Sequence, residues 1–147
     1  MNIHHTLLEK AIDIKLNLIS NLTNPAVPQS IIISSTFSRE GNSTLVYSLG
    51  HALALDDSVS VLLVDANLRR PNLHNIFNQS LNIGFSDILQ NKNDPLDSIK
   101  LTEQNNLHVL TAGNANTDLL HLFSNISKTI KNKLESHYDW IIYDTAP

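Results

Sequence analysis

Four short, nearly unbroken apolar runs constrain this chain more than any other feature. They fall at residues 31–33 (Ile-Ile-Ile), 60–64 (Ser-Val-Leu-Leu-Val), 107–110 (Leu-His-Val-Leu) and 140–143 (Trp-Ile-Ile-Tyr). Runs of this kind read as strands buried on both faces, the type found in parallel sheets, because a strand with one wet face alternates instead. Between them the spacing turns helical. Residues 43–55 place Leu45, Val46, Leu49, Ala52 and Leu53 on one side, and residues 119–134 form a longer amphipathic pattern. Pro71 is expected to open a short helix through Phe77, its fixed φ suiting a first helical turn, and residues 84–89 another. Upstream, Leu7, Leu8, Ala11, Ile12, Ile14, Leu18 and Ile19 give a helical spacing until Asn24, Pro25 and Pro28 break it. Strands alternating with helices predict an open, mostly parallel α/β sheet with helices on both faces. The 147 residues suffice for a single domain with its own core. Its expected parts are an N-terminal helix at 4–22, a linker at 23–29 and an α/β core at 30–147.

Composition removes several function classes. There is no cysteine, hence no disulfide and no thiolate metal site within the chain. A net charge of −4 without a basic block argues against a nucleic-acid surface. The seven histidines (His4, His5, His51, His74, His108, His121, His137) show no paired-ligand spacing. No apolar run approaches the roughly 18–20 residues that span a bilayer. The N-terminus does not read as a signal peptide, so a cytoplasmic location is expected.

Open α/β sheets bind ligands beyond the carboxyl ends of their strands, and three polar signatures lie there: residues 34–44, 65–71 and 144–147. The first has the form of a phosphate-binding loop, which normally ends Gly-Lys-[Ser/Thr], the lysine reaching the β/γ-phosphates and the hydroxyl holding Mg²⁺. Here Gly41 and Ser43 flank Asn42. Taken singly each signature has a plainer reading: a Ser/Thr helix cap for the loop, a strand exit for each aspartate, and salt bridges on a sheet edge for Arg69 and Arg70. Tyr47, Tyr138 and Tyr143 are read as packing residues, and Trp140 as packing under the 119–134 helix.

The ordered set is more specific. The loop, then Val-Leu-Leu-Val-Asp-Ala-Asn-Leu-Arg-Arg-Pro-Asn-Leu-His, then Gly-Phe-Ser-Asp-Ile-Leu, then Trp-Ile-Ile-Tyr-Asp-Thr-Ala-Pro resembles the bacterial protein-tyrosine kinases of capsule and exopolysaccharide synthesis. These are P-loop proteins related to the MinD/ParA ATPases. The resemblance runs from about residue 6 onward. It implies ATP or ADP with Mg²⁺ as cofactors, and a membrane chain-length regulator as partner, through which a cytoplasmic domain would sit at the inner membrane. By the same resemblance Arg39, Glu40, Gly41, Asn42, Ser43, Thr44 and Arg69 fall at nucleotide-binding positions. Asp65, Asn67 and Asp144 fall at catalytic ones, with Ser43, Asp65 and Asp144 the Mg²⁺ set.

The departures are equally specific. Asn42 replaces the Walker A lysine, Asn67 replaces the second acid of Asp-x-Asp, and Ser38-Arg39 stand where the family has Pro-Gly. The family's Glu-x-x-Arg-x-x-Arg ring motif on the first helix becomes Glu9, Ile12 and Lys15, so homo-oligomer formation is expected to be weakened. In the family further strands follow; the last strands are therefore expected to be missing, leaving residues 31–33 without a partner on one side.

Phosphoryl transfer is mostly positioning and charge stabilisation. Losing the lysine charge is expected to cost on the order of 2–5 kcal/mol, or about two to four decades of rate if it falls on the transition state. The expectation is a degenerate kinase-like domain with weak nucleotide binding and little or no transfer. Two alternatives stay open: an active autokinase with an atypical Walker A, in which another lysine or an arginine replaces the missing one, and a MinD/ParA-like ATPase that recruits partners.

Overall fold

The computed structural model describes residues 3–24, 26–37, 39–90, 92–114 and 128–147. The elements run α1 (Ile3–Ser20), β1 (Gln29–Ile33), α2 (Asn42–Leu53), β2 (Val61–Asp65), α3 (Leu73–Ile76), α4 (Phe85–Leu89), β3 (Lys100–Leu101), β4 (Leu107–Leu110), α5 (Lys128–Glu135) and β5 (Trp140–Asp144), with a 3-10 turn at Leu96–Ser98. All four apolar runs are strands of one five-stranded sheet in the order β1-β5-β2-β4-β3. β1, β5, β2 and β4 pair in parallel, and only β3 runs antiparallel, against β4. β3 escapes sequence reasoning because two residues, Lys100 and Leu101, carry no periodicity.

Side-chain alternation divides the core into two layers. Val61, Leu63, Leu107, Val109 and Ile142 face α2, whose Val46, Leu49 and Leu53 meet them. Leu62, Val64, Leu110 and Ile141 face the other way, onto Phe85, Ile88 and Leu89 of α4 and Ile130 and Leu134 of α5. Helices therefore cover both faces, as the alternating pattern requires. α1 lies on α2, adding Ile14 and Leu18 to the first layer. Lys15 donates from Nζ to the carbonyl of Ala52 at 2.8 Å, placing its charge at the negative end of α2.

Four expectations need correction or limits. Trp140 belongs to the α2 layer, not beneath α5; an unbroken run does not reveal which of its residues faces which way. Pro71 does not open a helix, because α3 begins at Leu73. The Asp65 carboxylate captures the amides of Asn72 and Leu73, each at 2.9 Å, and delays the helix beyond the proline. β1 is not buried on both faces: Ile32 is 70% exposed, since the buried side chains facing α4 and α5 come from β2, β4 and β5. The expected 119–134 helix lies partly outside the described residues, whose share of it is α5.

Gly84 fixes α4 against the end of β4. A Cβ there would lie 2.1 Å from the Thr111 carbonyl and 2.3 Å from the Gly113 nitrogen, so no larger residue fits. The approach lets Phe85 and Ser86 donate their amides to Thr111 and Ala112 at 2.8 and 2.9 Å.

Candidate functional site

The loop from β1 to α2 is braced by its own side chains. Arg39 and Gly41 adopt left-handed backbone, with φ of 69° and 92°, and turn the chain into α2. The first helical bond runs from the Leu45 amide to the Gly41 carbonyl at 2.9 Å, leaving the amides of Asn42, Ser43 and Thr44 without intrahelical partners. A Cβ added at Gly41 would meet nothing within 4 Å, so the space above this turn is open. Asn42 donates from Nδ2 to Ser35 Oγ at 2.9 Å, Ser35 Oγ donates to the Phe37 carbonyl at 2.8 Å, and Glu40 accepts from the Phe37 amide at 3.2 Å. The exit of β5 is tied to the loop's start: the Thr145 amide and hydroxyl both donate to the Ile33 carbonyl at 3.1 Å, and Ser34 donates to that of Ala146 at 3.2 Å.

Asp65 and Asp144 end adjacent parallel strands in register, and both are fully buried. Asp144 accepts from the Ser43 hydroxyl at 2.5 Å through Oδ2. Asp65 uses its Oδ2 for the Asn72 and Leu73 amides. The Oδ1 of each is buried with no partner. Burial drives the Asp65 carboxyl up to about 7, against the pull of the amides it accepts from and with help from the negative Asp144 beside it. Burial also raises Asp144, opposed by the Ser43 bond.

Over this pair opens a cleft of about 800 Å³, lined by Ser35, Arg39, Glu40, Gly41, Asn42, Ser43 and Thr44 from the loop and α2. Its other wall is Asn67, Arg69, Arg70, Pro71 and Asn72, with Ala146 and Pro147 closing it. The three polar signatures thus meet at one place. Of the residues expected at the site, Arg39, Glu40, Gly41, Asn42, Ser43, Thr44, Asn67 and Arg69 line the cleft; Asp65 and Asp144 do not, lying sealed below it. Asn67 accepts the Arg70 amide at 3.2 Å. Arg70 and Ser35 are cleft residues that the motif comparison passed over. The signal for Arg70 was its place beside Arg69 before a proline; Ser35 lay within the 34–44 signature without being singled out. Ser38 lies outside the described residues.

Among the described residues the histidines join no metal-holding group. His51 shares a hydrogen bond between Nδ1 and Gln104 Oε1 at 2.9 Å and is lowered by burial, and His74 is lowered by burial too. His121 and the side chains of His4 and His5 lie outside the described residues. Among the described residues no group of three or more His, Asp or Glu is placed to hold a metal ion.

The cleft fits the phosphates of a nucleotide: an open left-handed glycine, unpaired amides at the N-terminus of a twelve-residue helix and three arginines. It fits Mg²⁺ less completely. The Ser43 hydroxyl and Asp144 are in place with an orphaned Oδ1 behind them, but an amide, Asn67, stands where a second acid would.

No family model matches the chain. CapB of Staphylococcus aureus, a relative that carries the tyrosine-protein kinase name, is 36% identical over 144 residues, covering 97% of this chain and 62% of CapB. Tyrosine-protein kinase YwqD of Bacillus subtilis is 30% identical over 120 residues, covering 81% and 50%. The chain therefore spans less than two thirds of the length of either relative. Among solved structures, the kinase domain of the Escherichia coli tyrosine kinase ETK superposes with a TM-score of 0.85 at 24% identity, over 95% of this chain and 55% of that one. MinD of Pyrococcus horikoshii, complexed with Mg-ADP, superposes at 0.60 with 27% identity, over 79% and 49%. The sheet is thus that of the MinD/ParA-like P-loop proteins, and by sequence this chain is a homologue of the bacterial tyrosine-protein kinases.

Proposed function

We propose that this chain is a tyrosine-kinase-like P-loop domain with a degenerate catalytic set, acting in capsule or exopolysaccharide production with weak or no ATP-dependent phosphoryl transfer. One observation carries the reading: the residue in the lysine position, Asn42, turns its amide back onto Ser35 of its own loop at 2.9 Å. It brings no charge and is already engaged. ATP or ADP with Mg²⁺ are the implied cofactors, weakly held. The amides of Asn42, Ser43 and Thr44 with Arg39 would hold phosphate oxygens, and Ser43 and Asp144, with Asp65 behind them, would hold the metal. When bound, Mg²⁺ supplies neutralisation of phosphate charge. Asn67 in place of an acid leaves that centre without a base for an attacking hydroxyl.

The implied partner is a membrane chain-length regulator, which would hold a cytoplasmic domain at the inner membrane; among the described residues no helix is long and apolar enough to cross a membrane. Ring assembly through α1 is disfavoured, because Lys15 is spent on the Ala52 carbonyl. Arg39, exposed on the cleft wall, favours a second reading, an active autokinase with an arginine in the lysine's role.

Calorimetric titration of Mg-ADP and Mg-ATP into the wild type and the Asn42→Lys/Asn67→Asp double variant tests the proposal. It expects weak binding at most in the wild type and a clear gain, with measurable phosphoryl transfer, in the double variant. Micromolar wild-type binding of Mg-ATP with autophosphorylation that Arg39→Ala abolishes would establish the second reading instead.

A further inference from the structure

Resting on that reading of the cleft, we infer that its remaining ligand is a metal-free diphosphate, the phosphate moiety of a nucleoside diphosphate, held by Arg39, Arg69 and Arg70 in place of lysine and Mg²⁺.

The charge balance of the cleft supports this. Three arginines line it against one acid, Glu40, and none of the three belongs to an ion pair among the described residues. Glu40 turns its carboxylate to the Phe37 amide at 3.2 Å. The two aspartates beneath are fully buried, and the Ser43 hydroxyl stands between Asp144 and the cleft, donating to its Oδ2 at 2.5 Å. An anion entering therefore meets cations on both walls: Arg39 from the loop, Arg69 and Arg70 from the segment after β2. A guanidinium stays charged at all working pH values and presents a planar fork that matches two phosphate oxygens. A free diphosphate carries about three negative charges, which these arginines answer without a metal.

Mg²⁺ finds much less. It requires near-octahedral oxygen ligands and usually one or two carboxylates. The Asp144 carboxylate is closed onto Ser43 and has no exposed surface, and that of Glu40 is turned to the Phe37 amide. The oxygen of Asn67 is a neutral amide already accepting the Arg70 amide at 3.2 Å. That bond holds the backbone of the turn that carries Arg70.

The test is calorimetric titration of ADP and of inorganic pyrophosphate into the folded protein, once in EDTA and once in Mg²⁺, with Arg39→Ala and Arg70→Ala as variants whose folding is checked by circular dichroism. The expected result is affinity in EDTA equal to or higher than in Mg²⁺, weakened about tenfold by each arginine substitution, and falling as salt is raised. Equal affinity for pyrophosphate and ADP assigns the site to the diphosphate alone; tighter ADP binding adds a contact to the nucleoside, and both support the inference. Binding that appears only with Mg²⁺ overturns it while leaving the proposed function standing. Absence of binding in both conditions overturns it too, and transfer by the Asn42→Lys/Asn67→Asp variant then decides the proposed function separately.

Discussion

Replacing Asp65 by asparagine should stabilise this protein, and increasingly so as pH rises. The carboxyl is fully buried and its pKa stands at about 7 in the fold against an ordinary 3.8. A folded-state value above the unfolded one means that the folded chain binds the proton more tightly, so stability is lost as pH climbs from about 4 towards 7. At about 1.4 kcal/mol for each pH unit between the two values, the full loss is roughly 4 kcal/mol, of which about 2–3 kcal/mol falls between pH 5 and pH 8. Asparagine keeps an oxygen for the Asn72 and Leu73 amides and carries no charge to desolvate. Its Nδ2 would take the place of an Oδ1 that has no partner, with the Asp144 carboxylate nearby to accept from it. Urea denaturation of both proteins at pH 5 and pH 8 measures the effect, and subtracting the two cancels the groups that do not interact with Asp65, leaving its own titration and its coupling to Asp144. The variant's advantage should grow by about 2–3 kcal/mol across that interval. A gap that changes by less than about 0.5 kcal/mol would refute the argument, since it would mean that Asp65 ionises in the fold as easily as in water.

Two other substitutions probe the scaffold of the site. Gly84→Ala forces a methyl group to within 2.1 Å of the Thr111 carbonyl, where only backbone can move, and should cost about 3 kcal/mol or more in urea denaturation; Gly41→Ala, strained at φ 92° but sterically open, should cost nearer 1 kcal/mol. Equal losses would contradict the packing account. Ser43→Ala leaves both Asp144 oxygens buried without a donor and should cost about 1–3 kcal/mol at pH 8. Because the lost bond favours the ionised carboxylate, the deficit should shrink as pH falls towards 4, and a deficit independent of pH would show that Ser43 acts only by packing.

How far the sequence could be read depended on the kind of physics involved. β2 was legible because Val61 to Val64 are all buried, and a fully buried strand leaves an unbroken apolar run. The cleft was legible as an ordered set of motifs, since the carboxyl ends of parallel strands converge on one edge. What remained hidden depends on contacts distant in the chain. Nothing in residues 60–71 announces that Asp65 would spend an oxygen on the start of α3, or that the pair with Asp144 would be sealed from solvent. The outward face of Ile32 depends on which strands the opposite helices reach. Lys15 could be recognised as a weakened ring residue, but its bond to Ala52 exists only once α1 lies on α2. Asn42 could be seen as a missing charge, not as a brace for the loop.

β1 pairs with a single neighbour, β5, among the described residues, and the phosphate loop leaves directly from its end. Such a strand opens by local fluctuation, whereas β5 and β2 are flanked on both sides and open only with the whole sheet. Amide exchange at Ile31 and Ile33, whose amides bond to β5, should therefore run well ahead of that at Ile141 or Leu63. The cleft inherits this asymmetry: one wall is rooted in strands flanked on both sides, the other in an edge strand. A ligand that bridges the two walls would slow exchange most in β1, registering its arrival in the strand and not only in the loop it touches.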